Sequence, residues 1–270
     1  MTDDHDVMRA SVARATLDRL NPVARLFFAM LLAAPVLITL DWVSASIMLG
    51  LELIIFTLAG AGLASMLRRL APVAVVAAVA CVSMALYGRP GGHVFATWWL
   101  ITISQRSLLM ALAVFLRIMA LALAAITLLA RVDPTLMADG LAQIVRLPAR
   151  FVLGTLAGVR LSSLLTNDWR SLALARRARG LGDSGAIRRA ASMVFALLVS
   201  AIRRASTLAT AMEVRGFSAD AARHRTWART SRLTWADAIG LVITLAVDVV
   251  SIWAAVAAGT FWLIWAGVPT

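Results

Sequence analysis

The chain contains no lysine; all 26 of its basic residues are arginine. Genomic base composition produces such a bias as readily as selection does, so the absence alone assigns no function. There is one cysteine, Cys81, and it lies in an apolar run. A lone cysteine excludes a disulfide within the chain and reads as a small buried apolar residue. The three histidines, His5, His93 and His224, have no metal-ligand spacing to one another or to Cys81. No G-x-x-x-x-G-K-[ST] loop is present to cradle nucleotide phosphates, and no G-x-S-x-G elbow. Asp41 and Glu52 are spaced to share a helix face, but Asp41 falls at a span end, which excludes an acid–base pair. Charge is scarce as well, at 15% against about 25% in a soluble domain. These gaps leave no catalytic residues and no metal set, and the chain reads as a non-enzyme that binds no cofactor itself.

What is abundant is apolar surface: 61% of 270 residues are hydrophobic. A soluble domain carries about 45–50%, so a bilayer is the natural solvent for much of the chain. A membrane-spanning helix needs roughly 20 mostly apolar residues. The first candidate is Val23 to Leu40, opened by Asn21-Pro22 as cap and first-turn proline. The second runs from about Trp42 to Met66 and is followed by Arg68, Arg69 and Pro72. The third covers about Ala71 to Tyr87. Gly88-Arg89-Pro90-Gly91-Gly92 then marks a turn. His93 to Ser104, with Trp98 and Trp99 adjacent, is too short to span and predicts an interfacial elbow. The fourth span is Ser107 to Ala130 and contains Arg117. An intramembrane arginine needs a partner, and Asp248, Glu52 or a backbone carbonyl can serve. A last apolar stretch, Leu233 to Val268, predicts one long tilted span in preference to a hairpin. No cleavable signal is read at the N-terminus.

The net charge is +12, and its location matters more than its size. Between Arg131 and Arg232 stand 17 arginines against 6 acids, so nearly all of the excess lies in one stretch. Positive residues near spans mark the cytoplasmic side, which places the N-terminus and this stretch inside, at a cell membrane. Within it Ala190 to Ile202 is apolar but closed by arginine pairs on both sides. As a helix it is about 20 Å long, too short for a core of about 30 Å. The pattern predicts three cytoplasmic helices: a short one over about Pro134 to Val145, a long one from Pro148 to Arg179, and another from Ala186 to about Val214. Gly180, Gly182 and Gly185 end the first long helix and Gly216 the second. Apolar stripes run along both, through Val152, Leu156 and Val159, then Val194, Leu198 and Ile202 beside Met193 and Leu197. Such faces need something to bury against. Gly154 and Gly158 add a small-residue face for a close helix neighbour. Arginines interleaved with apolar stripes, with few aromatics, suit anionic lipid rather than nucleic acid.

The expected fold is therefore all-α and polytopic, with about five transmembrane helices plus two long cytoplasmic helices and one short one. Residues 1–130 form the first membrane part, 131–232 the cytoplasmic region and 233–270 the last membrane segment. Each long cytoplasmic helix ends in the same way, with an arginine directly before a glycine. A cation suits the end of the helix dipole and glycine suits the C′ position, so helix termination explains the pattern. Arginine is also the residue for forked capture of a carboxylate, so two such tips suit acidic grooves on a partner.

At these residues the chain resembles the transmembrane T-component of energy-coupling factor transporters, the EcfT/CbiQ-like family. Leu20-Asn21-Pro22-Val23-Ala24-Arg25-Leu26 stands where that family has a D-P-R-x-K-L-like start to the first span. Arg131-Val132-Asp133-Pro134-Thr135 resembles its T-x-D-P junction. Ala178-Arg179-Gly180 and Val214-Arg215-Gly216 resemble its two X-Arg-X coupling motifs, with Glu213 as in M-E-x-R-G. The resemblance implies a subunit joining two cytoplasmic ABC ATPases, which use ATP and Mg, to a small membrane subunit that captures a vitamin or metal ion. It implies that Arg179 and Arg215 dock the ATPases, that glycines 180 and 216 allow close approach, and that the stripes at 152–159 and 193–212 hold the capture subunit. Asn21 departs from the usual acid, which puts any salt bridge made there in doubt. The alternative from another class is a membrane-anchored interaction scaffold without a transport role.

Overall fold

The computed structural model describes residues 19–39, 41–88, 91, 93–98, 101–130, 132–180, 185–217, 227 and 229–259. The N-terminal tail with His5, Trp99, Arg131, Gly182, His224 and the stretch 260–268 lie outside the described residues. The elements are α1 (Pro22–Ile38), α2 (Trp42–Leu58), α3 (Leu63–Tyr87), β1 (Val94–Trp98), β2 (Ile101–Ser104), α4 (Gln105–Leu129), α5 (Pro134–Gln143), α6 (Ala149–Ala178), α7 (Ala186–Val214) and α8 (Trp235–Ala257). They fall into two compact units. One contains residues up to Val132 and from Arg232 onward; the other runs from Asp133 to Ser231.

In the first unit α4 packs against α1, α2 and α3, while α8 closes on α1 and α2. The core is Phe28, Leu32, Met48, Phe56, Leu123, Leu128 and Val247. The outside is equally apolar: Val75, Val76, Val79 and Val82 of α3 and Val242, Val249 and Trp253 of α8 are all exposed. Contiguous exposed aliphatic surface of this extent is unfavourable in water and ordinary in lipid. By length and composition α3, α4 and α8 each suffice to cross a membrane. Helices α1 and α2, at 17 residues, are about 25 Å long and sit at the lower limit for a span. The protein is an all-α polytopic membrane protein, as its composition predicts.

Two sequence-based boundaries are corrected. The second span does not reach Met66. Gly60 adopts φ +78°, its N–H donates to the Thr57 carbonyl, and the Ala61 N–H donates to the Phe56 carbonyl. This paired 5→2 and 6→1 pattern ends α2 at Leu58. Helix α3 then starts at Leu63 and carries Arg68, Arg69 and Pro72 inside it rather than in a connection. The interfacial elbow is instead a short antiparallel β-ribbon, pairing Ala96 with Ile103, Thr97 with Thr102 and Trp98 with Ile101. Its run of β-branched and aromatic residues favours a strand over a helical turn.

The second unit consists of α5, α6 and α7. Asp133 caps α5, its Oδ1 accepting the Thr135 N–H at 2.7 Å, and Pro134 takes the first turn. That hydrogen bond holds the exposed Asp133 carboxyl below its usual range. The Gln143 side chain ties the returning chain, donating to the Arg229 carbonyl at 2.8 Å and accepting the Ser231 N–H at 2.9 Å. The hairpin between α6 and α7 is pinned by an Arg204–Asp168 ion pair at 2.7 Å and by Arg176 donating to Ser192 Oγ at 2.6 Å. Ala138, Val152 and Met193 are the buried apolar residues of this unit among those described, so it has almost no core of its own. Length and composition alone also admit Ala190–Val214 of α7 as a membrane span, contrary to the sequence-based expectation. The apolar run was measured only to the Arg203-Arg204 pair, whereas the helix continues past it.

Candidate functional site

The two arginine tips are built in the same way. Arg179 is the C-cap of α6 (φ −92°, ψ 10°), and Gly180 follows at φ +70° with its N–H on the Arg177 carbonyl. Arg215 is the C-cap of α7 (φ −82°, ψ 10°), and Gly216 follows at φ +77°. The Gly216 N–H donates to Glu213 and the Phe217 N–H to Met212, which satisfies the last carbonyls of the helix. A positive φ costs an L-residue roughly 1–2 kcal/mol, so both glycines are fixed by the backbone. A Cβ added at Gly180 would meet nothing within 4 Å, so crowding inside the chain is not the reason. Ala178, Arg179, Glu213, Val214 and Arg215 are all exposed.

The end of α2 supplies the comparison that separates termination from docking. There the same turn is completed around Gly60 with Ala59 at the C-cap. An arginine is therefore not needed to stop a helix in this way. Arg179 and Arg215 occupy the position where the α2 end has a plain methyl group, and they hold two charged forks in solvent.

The apolar stripes divide by face. Met193 is buried and Leu197 half-buried, whereas Val194, Leu198 and Ile202 are exposed. On α6 Val152 is buried, Leu156 half-buried and Val159 exposed. Between α6 and α7 lies a groove of about 450 Å³ with apolar walls that include Leu156, Leu208 and Met212. Arg160, Arg204 and Arg215 line it as well, so the second arginine tip and the α6 stripe meet on one surface. Gly154 and Gly158 are exposed, and a Cβ at either would meet nothing within 4 Å, so no helix among the described residues uses that small-residue face.

Arg117 has a different task. Its guanidinium donates to the Val36 carbonyl, one of the last carbonyls of α1, with the Asp41 carboxylate close enough to act on it. Of the three partners that sequence reasoning left open, the backbone carbonyl is the one used. Asp41 caps α2, accepting the Ser44 N–H and Oγ–H at 2.7 Å each. Arg117 is thus the clasp of the α1–α2 turn. Arg117→Met is expected to cost about 1–3 kcal/mol by leaving a buried carbonyl bare, read as a lower unfolding temperature in detergent.

Asn21 also finds a role despite its departure from an acid. Its Oδ1 accepts the Val23 N–H at 3.0 Å, its Nδ2 donates to the Arg232 carbonyl at 3.2 Å, and its own N–H donates to Asp237 Oδ1 at 2.7 Å. From sequence Asp237 is an acid that complicates the last span, with no role assigned to it. Its signal was the capping box that opens the last span, with Thr234 as cap and Asp237 three residues on.

Comparison with known proteins agrees with this architecture. The CbiQ family, described as cobalt transport protein, matches residues 13–227. The chain belongs to the CbiQ family. It is 27% identical over 249 residues to the energy-coupling factor transporter transmembrane protein EcfT of Brevibacillus brevis, covering 88% of this chain and 93% of that protein. It is 29% identical over 173 residues to EcfT of Limosilactobacillus fermentum, covering 59% and 63%. EcfT of Lactococcus lactis subsp. cremoris is 27% identical over 219 residues, covering 74% and 80%. The part of this CbiQ-family chain that matches includes both arginine tips and all of α1 to α7.

Proposed function

We propose that this chain is the transmembrane coupling subunit of an energy-coupling factor importer. It transmits ATP-driven motion from two cytoplasmic ABC ATPases to a small membrane subunit that captures a vitamin or metal ion. The observation that carries this reading is the pair of C-cap arginines, surplus to helix termination, presented on the two long helices of a basic, nearly coreless unit. Each fork suits a carboxylate-lined groove. Helix α7 alone is about 43 Å long, so Arg215 stands far from the turn that follows Arg179. One small groove does not take both tips, and two ATPase subunits, one for each, fit the spacing. ATP and Mg belong to those partners. The exposed face of Val194, Leu198 and Ile202, with the groove beside it, is the contact surface for the capture subunit. The excess of arginine in this unit supports a cytoplasmic position for it at the plasma membrane.

The test is co-purification of the detergent-solubilised chain with its cognate ATPase pair and capture subunit. A stable complex with both is the expected result. Failure of correctly folded protein to retain the ATPases would favour an interaction scaffold instead.

A further inference from the structure

The interior of the first unit holds carboxylate oxygens with no hydrogen-bond partner among the described residues. Glu52, on α2, is 2% exposed, and neither of its carboxylate oxygens has a hydrogen-bond partner. Asp248, on α8, is 7% exposed, its Oδ1 is equally unpartnered, and its charge acts on Glu52. Arg117, in α4, is engaged at the α1–α2 turn. Ionisable side chains at membrane depth are costly and are kept where they serve a ligand or a pathway.

Glu52 also lines a cavity of about 240 Å³ among α1, α2, α4 and α8. Its walls are apolar, with Phe28, Ile55, Ile243 and Val247 among them. Along α8 the lining runs from Ala236 to Val247, about 16 Å of helix. Ala59 and Ala236 mark the end where α2 finishes and α8 begins. The volume lies below the roughly 300 Å³ at which pockets for drug-sized ligands start, so the occupant is small. A bare metal ion is poorly served: no group of three or more His, Cys, Asp or Glu side chains gathers anywhere among the described residues. No cationic side chain stands among the described residues that line the cavity, and what it offers besides Glu52 is an aliphatic sleeve.

We propose that this cavity binds a small amphiphilic cation of the primary alkylamine class, its ammonium paired with Glu52 and its chain lying along α8. Three ammonium protons supply donors to carboxylate oxygens that have none, and the positive charge offsets Glu52 and Asp248 together. The chain gains little by leaving lipid for an equally apolar sleeve, so the head group decides the affinity.

The experiment uses the full chain in phosphatidylcholine nanodiscs, titrated with radiolabelled n-octylamine. Saturable binding at one site per chain is expected, and n-octanol, with the same chain and no charge, should not compete. Glu52→Gln should weaken binding at least tenfold. Ala59→Phe, which fills one end of the cavity and leaves the carboxyl in place, should abolish it; both variants must remain monodisperse. Unsaturable uptake, equal binding by Glu52→Gln, or equal competition by octanol would each overturn the proposal. Adding phosphatidylethanolamine to the nanodiscs identifies the source of the ammonium. Competition assigns it to the lipid and no competition to a free amine, and in both cases Glu52-dependent saturable binding supports the site.

Discussion

Replacing Arg179 and Arg215 together by alanine is expected to abolish capture of the ATPase pair while leaving the protein inserted and folded. Both side chains are exposed, and both helix ends are completed by backbone hydrogen bonds that need no arginine. Truncating one partner of a buried charge pair at an interface costs about 2–5 kcal/mol, roughly 30-fold to several-thousand-fold in affinity. The tips are far enough apart to act independently, so the single losses should add in free energy. Each single variant should therefore weaken capture measurably, and the double variant should bring it below detection. Arg→Lys at either tip keeps the charge and loses the fork, and should recover only part of the binding. The measurement is quantitative pull-down of the ATPases at matched amounts of inserted protein. Undiminished capture by the double variant would remove the arginine tips from the docking surface.

The second large effect is on stability. Asp237→Ala is expected to destabilise the first unit by about 2–4 kcal/mol. Asp237 is 4% exposed, and its two oxygens accept from the Asn21 N–H, the Thr234 N–H and the Thr234 Oγ–H at 2.7, 2.7 and 2.8 Å. One carboxylate thereby starts α8 and fastens it to the start of α1. Hydrogen bonds to a charged group contribute about 1.5–3 kcal/mol each, and the three here share one cost of burial. Asp237→Asn keeps the shape and one acceptor and should recover part of the loss. Thermal unfolding in a fixed detergent distinguishes the two variants. A shift under 1 °C for Asp237→Ala would show that the bonds are replaced by solvent.

The apolar spans, the two long arginine-rich helices and the family resemblance were all legible because each depends on short-range pattern. The resemblance rested on two Arg-Gly ends and two proline junctions, and the match over residues 13–227 bears it out. The errors came where one residue carries two meanings. Arg68-Arg69 resembled a span boundary, yet the decisive signal was Gly60, whose φ of +78° closes α2 before the arginines are reached. Pro72 resembled a helix start and lies inside α3. The ribbon at 94–104 is not legible from length and the Trp98-Trp99 pair within His93 to Ser104, which suit an interfacial elbow; its signal is the β-branched content of the stretch. Glu52 and Asp248 were visible as intramembrane acids. Their lack of partners was not visible, because it depends on four helices brought together from distant parts of the chain.

The clamp between Asn21 and Asp237 has a further consequence for how the molecule is made. The two residues are 216 positions apart, with the whole of the second unit encoded between them. During synthesis α1 to α4 leave the ribosome first, while α8, which packs on α1 and α2, is translated only after the second unit. The early bundle must wait in the membrane with one flank uncovered, Glu52 facing the gap, until Asp237 arrives to close it. The order of translation thus makes α8 a latch, and a chain halted before residue 232 lacks the carboxylate that fastens it.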